Sequence, residues 1–225
     1  MENLSVKKIS KMIDHTKLSA DANFDDIKKL CDEAVKYDFF SVCVNPFYIK
    51  ECKRLLENSD VKVCTVIGFP LGQNTIETKV FETRNAIING ADEIDMVINI
   101  PKLKEGDVDY CINEINQIKK ACGNMVLKVI VETCLLTNNQ KELAANIVLK
   151  SDADFIKTST GFSIAGATFM DIEIFKSVIG DKKMIKAAGG IKTITDLLKM
   201  IEFGADRIGT SRGVELIKEF VKGTD

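Results

Sequence analysis

The sequence predicts an α/β protein with one domain, a (β/α)₈ TIM barrel. Short apolar runs rich in β-branched residues alternate along the chain with amphipathic segments, and eight such pairs fit within the 225 residues. Repeated βα units favour a parallel sheet, and eight of them in a chain of this length favour a closed barrel over an open doubly wound sheet. The open sheet remains the alternative, because the first strand has the weakest pattern.

The predicted strands are short apolar runs. The first and weakest is "MIDHTKL", and the others are "FFSVCVN", "VKVCTVIGF", "EIDMVINI", "VLKVIVE", "DFIKTS", "KMIKAA" and "DRIGTS". The clearest helices between them are "FDDIKKLCDEAVKYD", "TKVFETRNAIING", "VDYCINEINQIKKACG" and "ITDLLKMIEFGA", in which apolar residues recur three and four positions apart. No Ser/Gly-rich linker or low-complexity tract divides the chain, so residues 1–225 are expected to form one domain.

Composition limits the partners and the chemistry. The formal net charge is -2 and no basic run occurs, so neither nucleic acid nor an anionic membrane is an expected partner. The N-terminus has no apolar signal core, and the seven cysteines include no CxxC pair, which together indicate a cytoplasmic protein with reduced thiols. His15 is the only histidine, so a His-rich metal site cannot form, and neither a metal nor a cofactor is expected.

Side-chain alternation along the strands predicts a charged barrel interior. If the apolar residues face the helices, "EIDMVIN" directs Asp95 and Asn99 inward, and "VLKVIVE" directs Lys128 and Glu132 inward. The same count places two further lysines inside, Lys157 in "FIKTS" and Lys186 in "KMIKAA". Four strands therefore point charged groups into one cavity.

These lysines have two interpretations. They could be ion pairs that hold a polar interior, which is the more frequent role for any single lysine in a strand. Three converging lysines repel one another, however, and a neighbouring cation lowers the pKa of a second lysine so that its neutral amine can attack a carbonyl. The cluster therefore favours an imine-forming enzyme, although side-chain alternation does not select the nucleophile.

The loops after the last two strands predict a phosphate site. "KAAGGIKT" contains Gly189 and Gly190 with Thr193 placed to cap the next helix, and "RIGTSRG" contains Gly209 and Ser211. Barrels often bind phosphate at these two loops, where backbone N–H groups and a helix N-terminus face the oxygens. Helix capping alone is the alternative. Together the loops indicate a phosphorylated aldehyde or ketose as substrate.

Nearly the whole chain resembles the deoxyribose-phosphate aldolase family. The motifs occur in the family's order: "IDHTKL", "SVCVNP", "CTVIGFPLG", "DEIDMVIN", "VLKVIVET", "FIKTSTGF", "KAAGGIK" and "RIGTS". The resemblance implies a metal-independent class I aldolase that cleaves 2-deoxy-D-ribose 5-phosphate to acetaldehyde and D-glyceraldehyde 3-phosphate. It also suggests a homodimer or homotetramer.

The resemblance also implies residue roles. Lys157 matches the lysine that forms the Schiff base, and Asp95 and Lys186 match the acid and the second lysine of the proton relay. Asp14 could join this relay. Lys128 is expected either to pair with Asp95 or Asp14 or to take part in proton transfer, and His15 is expected to be a hydrogen-bonded structural residue near the barrel mouth.

The chain departs from some relatives at two places. Phe162 follows "TSTG" where some relatives carry a lysine, so the glycine loops have a larger part in binding the phosphate. The chain ends in "EFVKGTD", without the tyrosine-bearing tail of some relatives. Two other functions stay open on the residues alone: a phosphate-binding isomerase that uses Asp95 as a base without a covalent intermediate, and a barrel that binds sugar phosphates without catalysis.

Overall fold

Eight parallel strands close into a barrel, as the sequence predicted. The computed structural model describes residues 4–224, and the strands pair in chain order, with β1 hydrogen-bonded to β8. The strands are β1 (Ile13–Lys17), β2 (Ser41–Val44), β3 (Lys62–Ile67), β4 (Glu93–Val97), β5 (Val126–Ile130), β6 (Phe155–Lys157), β7 (Met184–Ala188) and β8 (Arg207–Thr210). The doubly wound alternative is excluded because the sheet has no open edge. Residues 1–3 and 225 of the expected single domain lie outside the described residues.

Ten α-helices accompany these strands within residues 4–224. They are α1 (Val6–Ser10), α2 (Phe24–Lys36), α3 (Ile49–Leu55), α4 (Ile76–Ile88), α5 (Ile100–Glu105), α6 (Val108–Cys122), α7 (Asn138–Lys150), α8 (Phe169–Ile179), α9 (Ile194–Glu202) and α10 (Gly213–Thr224). The predicted cap at Thr193 is confirmed, because its side chain accepts a hydrogen bond from the Asp196 N–H at the start of α9. No helix of the described residues is long and apolar enough to cross a membrane.

The main hydrophobic core lies between the strands and the surrounding helices. Ile94 and Met96 pack in it, while Asp95 between them points into the barrel. This alternation was predicted for β4 to β7, and Lys128, Lys157 and Lys186 also point inward, toward Asp95. Asn99 is an exception: it lies beyond the end of β4, and its side chain accepts a hydrogen bond from the Lys102 N–H and caps α5 instead of facing the interior.

A buried ion pair outside the barrel fixes the end of β4. Lys79 on α4 and Glu114 on α6 lie 2.7 Å apart with fully buried side chains. Lys79 Nζ also donates to the carbonyl oxygens of Gly72 and Val97, at 2.7 and 2.8 Å, and Glu114 accepts from the Asn99 N–H at 2.9 Å. The pair therefore connects two helices to the carboxyl end of the strand that carries Asp95.

Replacement of Lys79 by Met is expected to destabilise the fold strongly. The substitution leaves the Glu114 carboxylate buried without its cation, and breaking a buried pair in this way costs about 3–5 kcal/mol of unfolding free energy. Urea unfolding measures this loss. Lys29→Met is the control: Lys29 is exposed and lies 3.9 Å from Glu33, so little change is expected. Equal losses in the two variants would contradict a special role for the Lys79–Glu114 pair.

Candidate active site

The predicted interior charges meet around one carboxylate. Asp95 Oδ2 accepts hydrogen bonds from Lys157 Nζ and from Lys186 Nζ, each at 2.7 Å, and its Oδ1 accepts from Lys128 Nζ at 2.9 Å. The thiol of Cys64 lies 3.2 Å from the same Oδ1 atom. The strand register produces this convergence, because Asp95 lies beside Lys128 on β4 and β5, and Lys157 beside Lys186 on β6 and β7. The Asp95 carboxylate therefore offsets the repulsion that the sequence predicts among the three lysines.

Asp14 on β1 forms a second anionic centre beside Asp95. Its carboxylate accepts hydrogen bonds from Ser41 Oγ at 2.7 Å and from Arg207 Nη1 at 2.9 Å, and it pairs with Lys186. Asp14 was expected as a possible member of the relay. The structure connects it to Asp95 through Lys186, and not through a direct contact.

Glu93 and Arg207 complete the network, and the sequence analysis identified neither of them. Glu93 Oε2 accepts from Lys128 Nζ at 2.5 Å and from Arg207 Nη1 at 3.3 Å. The Arg207 guanidinium also lies 3.5 Å from the centroid of the Phe40 ring, within the range of a cation–π contact. Both residues are the first of their strands, and the same alternation that selected Asp95 and Lys186 would have selected them.

The ionisation of this network follows from its contacts. Burial by itself raises the pKa of Asp95, but the ammonium groups of Lys128, Lys157 and Lys186 hold it well below its ordinary value. Burial lowers the pKa of Lys186, but the carboxylates of Asp14 and Asp95 raise it above the ordinary lysine value. Asp95 is therefore a carboxylate and Lys186 an ammonium ion at neutral pH.

The three lysines differ in how many carboxylates they contact. Lys128 contacts Glu93 and Asp95, with Asp14 at 4.0 Å, and Lys186 contacts Asp14 and Asp95. Lys157 contacts Asp95, and its side chain reaches the cavity at the barrel mouth, whereas Lys128 and Lys186 are fully buried. Lys157 is thus the lysine with the fewest charge partners and with access to a substrate.

A cavity of about 490 Å³ connects Lys157 to both predicted glycine loops. Gly189, Gly190, Gly209 and Ser211 all line it. Gly189 and Gly190 have φ of +77° and +76°, a conformation that favours glycine, and their backbone passes close to the chain at Gly166. Thus the loop after β7 presents backbone directly to the cavity.

Gly209 packs against side chains, whereas Gly189 and Gly190 lie close to backbone. It lies within β8, and a Cβ atom there would come 3.0 Å from Lys186 Cε and 3.2 Å from Ala188 Cβ. A side chain at Gly209 would press on Lys186. Gly209 therefore leaves room for the second lysine as well as lining the cavity.

Basic side chains that the sequence analysis did not select line the same cavity. They are Lys17, Lys192 and Arg212. Phe162, at the position where some relatives carry lysine, is half exposed at the cavity wall, and its ring packs edge-to-face against Phe69 with 5.3 Å between centroids. The positive charge absent at Phe162 is thus present at other positions around the cavity.

His15 and Glu132 lie away from the lysine cluster. His15 Nε2 lies 2.8 Å from Glu33 Oε2, and its ring centroid is 5.0 Å from that of Phe39, so His15 faces the helix layer and is hydrogen-bonded, as was expected. Glu132 lies just past β5 and accepts a hydrogen bond from the Thr160 hydroxyl. It fixes the loop after β6 and does not contact the lysines.

This fold and site are typical of a class of barrel enzymes in which lysine amines act on carbonyl substrates. Comparisons with known proteins identify the family within that class. The DeoC/LacD family aldolases match residues 8–217, so the chain belongs to this family.

Individual relatives agree with the family assignment. The chain is 71% identical to a deoxyribose-phosphate aldolase of Malacoplasma penetrans, over 96% of this chain and 97% of the relative, and 58% identical to one of Ureaplasma urealyticum, over 94% and 99%. Among solved structures, the tetrameric deoxyribose phosphate aldolase of Aeropyrum pernix superposes with a TM-score of 0.88 at 32% identity, over 96% of this chain and 92% of that chain.

Acid is expected to destabilise the fold through Asp14. Burial alone raises the pKa of Asp14, but Lys186, Arg207 and Lys128 bring it below its ordinary value. At a pH above about 3.9, the pKa of Asp in the unfolded chain, the carboxylate contributes fully to the free energy of unfolding. Below that pH the unfolded chain binds a proton that the folded chain does not bind, so the free energy of unfolding decreases.

Asp14→Asn tests this acid dependence. The variant should be less stable at neutral pH, and its unfolding free energy should fall less steeply in acid, by up to about 1.4 kcal/mol per pH unit. Urea unfolding at a series of pH values measures both slopes. Asp181→Asn, at an exposed carboxylate paired with Lys176, is the control, and parallel slopes for wild type and Asp14→Asn would refute the assignment.

Proposed function

We propose that this protein is a deoxyribose-phosphate aldolase that uses a Schiff base on Lys157. It reversibly cleaves 2-deoxy-D-ribose 5-phosphate to D-glyceraldehyde 3-phosphate and acetaldehyde, a carbon–carbon lyase reaction of deoxyribose phosphate catabolism. The observation that carries the residue assignment is the position of Asp95 Oδ2, 2.7 Å from both Lys157 Nζ and Lys186 Nζ, with Lys157 at the floor of a cavity rimmed by glycine loops.

The first step is imine formation. Lys157 loses its ammonium proton to solvent through the cavity, and its neutral amine, within hydrogen-bond distance of Asp95, attacks C1 of the open-chain sugar. The carbinolamine then loses water to give a protonated imine. This cation withdraws electrons from C2 and thereby weakens the C2–C3 bond.

Carbon–carbon cleavage follows. A water molecule held by Asp95 and Lys186 removes the proton of the C3 hydroxyl group, the C2–C3 bond breaks, and glyceraldehyde 3-phosphate leaves an enamine on Lys157. Protonation at C2 and hydrolysis release acetaldehyde and restore the amine. Because Asp95 Oδ2 contacts both Lys157 and Lys186, it can exchange protons with either lysine. Each positioned acid or base contributes roughly 10²- to 10⁴-fold to the rate.

The phosphate group is assigned to the rim. Backbone N–H groups around Gly189 and Gly190, the hydroxyl of Ser211, and the cations Lys192 and Arg212 line the cavity away from the lysine cluster. Neutralising a phosphate by backbone amides and flexible cations is a common arrangement in barrels. Lys157 and this rim together bind the two ends of a five-carbon sugar phosphate.

We also propose how the protein is organised. The closed barrel supports a single catalytic domain, and its unpaired thiols support a reducing, cytoplasmic location. The tetrameric Aeropyrum pernix relative supports a homo-oligomer, dimer or tetramer. The isomerase alternative has no support in the comparisons, and the expected independence from metals is tested by prolonged chelation, which should leave activity intact.

Borohydride trapping tests the proposed function. Wild type incubated with acetaldehyde and borohydride should gain the mass of one reduced adduct at Lys157, and it should release aldehyde from deoxyribose 5-phosphate. Lys157→Met should lose both properties, whereas Lys182→Met, at an exposed lysine, should keep both. Lys186→Leu should lose more turnover than trapping, because its main role is in the proton relay.

Two outcomes would count against the proposal. Turnover without any trapped adduct would indicate an enzyme without a covalent intermediate, and binding of the sugar phosphate without turnover would indicate a binding protein. An adduct at Lys128 or Lys186 in place of Lys157 would overturn the residue assignment alone.

Substitutions at the rim test the phosphate site. Ser211→Ala and Gly190→Val are expected to raise KM for deoxyribose 5-phosphate far more than for unphosphorylated deoxyribose, because these positions are assigned to the phosphate alone. Steady-state kinetics with both substrates measures the ratio. Gly209→Ala is the comparison variant, and it should impair both substrates, since its Cβ presses on Lys186. Equal losses on both substrates at Ser211 and Gly190 would mean that they serve only the fold.

A further inference from the structure

Two cysteine thiols face each other inside the barrel and have no part in the proposed reaction. Cys43 on β2 and Cys64 on β3 are register partners on adjacent parallel strands, and both are fully buried. Their sulfur atoms and a carboxylate oxygen of Asp95 all lie within 4.8 Å of one another. Two soft donors and one hard donor therefore converge beside the proposed catalytic carboxylate.

We propose that Cys43, Cys64 and Asp95 form an inhibitory binding site for a thiophilic divalent cation such as Zn²⁺ or Cd²⁺. Thiolate sulfur is the preferred protein ligand of these ions, and bonds of about 2.3 Å place two ligating sulfurs about 3.8 Å apart in tetrahedral geometry. The ligand atoms, all within 4.8 Å of one another, lie close enough for side-chain rotation to complete the site.

The charge of the surroundings does not prevent such binding. The network around Asp95 carries one more positive charge than negative among its described members, which are Asp14, Glu93, Asp95, Lys128, Lys157, Lys186 and Arg207. When the ion binds, each thiol loses its proton to solvent as the sulfur–metal bond forms, so two thiolates balance the divalent charge. Lys128 Nζ, 3.5 Å from Cys64 Sγ, is already placed to donate to one of these thiolates.

The same dithiol lies close to the substrate cavity. Leu18 packs with Cys43 and Cys64 in a small apolar cluster inside the barrel, and Leu18 also lines the cavity wall. Leu18 thus belongs both to the cavity wall and to the cluster that contains the thiols. A small ion can reach the thiols when this side chain moves.

Inhibition follows from the third ligand. Asp95 accepts hydrogen bonds from three lysines at rest, and a metal ion on its Oδ1 atom draws the carboxylate toward β3 and away from Lys157 and Lys186. The proton exchange between these lysines then fails. This consequence rests on the proposed function of Asp95, whereas binding of the ion by the two thiols does not.

A second cluster, Asp14, Cys64 and Glu93, shares one thiol with the proposed site. It is a poorer site for a soft ion because it has one sulfur and because Arg207 already binds both of its carboxylates. Cys43 distinguishes the two clusters, since it belongs to the proposed site alone.

Titration of the full chain with Cd²⁺, in buffer free of small thiols, tests the proposal with two readouts. Aldehyde release from deoxyribose 5-phosphate reports inhibition, and the ultraviolet thiolate-to-cadmium charge-transfer band reports binding. Wild type should lose activity as the band appears, and a chelator should reverse both. Cys43→Ser and Cys64→Ser should each raise the inhibitory Cd²⁺ concentration more than roughly 10- to 100-fold. That range is the usual loss of metal affinity when a residue that only hydrogen-bonds to a metal ligand is removed.

Cys31→Ser is the matched control. Cys31 and Cys52 form another buried, hydrogen-bonded thiol pair, between α2 and α3, and removal of this pair should leave Cd²⁺ inhibition unchanged. Each variant is compared with its own metal-free activity, and Cys43→Ala and Cys64→Ala replace any serine variant that does not fold. If the chain never cleaves the sugar phosphate, the proposed function fails, and the charge-transfer band still decides whether the site binds metal.

Two results would overturn the proposal. Inhibition that persists unchanged in the Cys43 and Cys64 variants would place the inhibitory ion elsewhere. A charge-transfer band that disappears only in Cys31→Ser would assign metal binding to the other thiol pair.

Discussion

The barrel interior depends on the carboxylate of Asp95. Three lysines lie buried inside the barrel, and each buried ion costs several kcal/mol unless it is paired and hydrogen-bonded. Asp95 contacts all three, Asp14 also contacts Lys186, and Glu93 also contacts Lys128. The lysines can therefore be close together, although their mutual repulsion alone would exclude the arrangement.

The position of Asp95 depends in turn on contacts outside the barrel. Lys79 binds the Val97 carbonyl and Glu114 binds the Asn99 N–H, so a buried ion pair between α4 and α6 fixes the strand end two to four residues beyond Asp95. A carboxylate that must lie 2.7 Å from two ammonium groups has little tolerance for movement of its backbone. The same strand thus connects global stability to the geometry of the proposed proton relay.

Side-chain alternation predicted much of this arrangement, and its failures have physical causes. It placed Asp95, Lys128, Lys157 and Lys186 inside because apolar residues alternate clearly on their strands. It failed at Asn99, since alternation ends where β4 ends and the backbone turns into α5. Glu93 and Arg207 were missed because a charge at the first position of a strand looks like an ordinary exposed end, and only closure of the barrel buries it.

Which lysine reacts depends on how many carboxylates it contacts and on whether it reaches the cavity. A sequence pattern shows neither property. The number of carboxylates around each lysine depends on register across strands that are far apart in the chain, such as β1 and β7 for Asp14 and Lys186. The role of Gly209 was hidden for the same reason, because the side chain that needs its space comes from the neighbouring strand β7.

The parallel barrel also explains why the proposed imine chemistry and the proposed phosphate site share one cavity. All carboxyl ends of the strands meet at one rim, so Lys157 at the end of β6 lies near the loops that follow β7 and β8. The formal net charge of the chain is -2, yet this cavity is lined by Lys17, Lys192 and Arg212 and lies over a network with excess positive charge. An anionic substrate is therefore attracted to this rim in particular. In the proposed reaction the phosphate is bound at the glycine loops, and the reach of an open five-carbon chain then brings its other end, the C1 carbonyl, to Lys157.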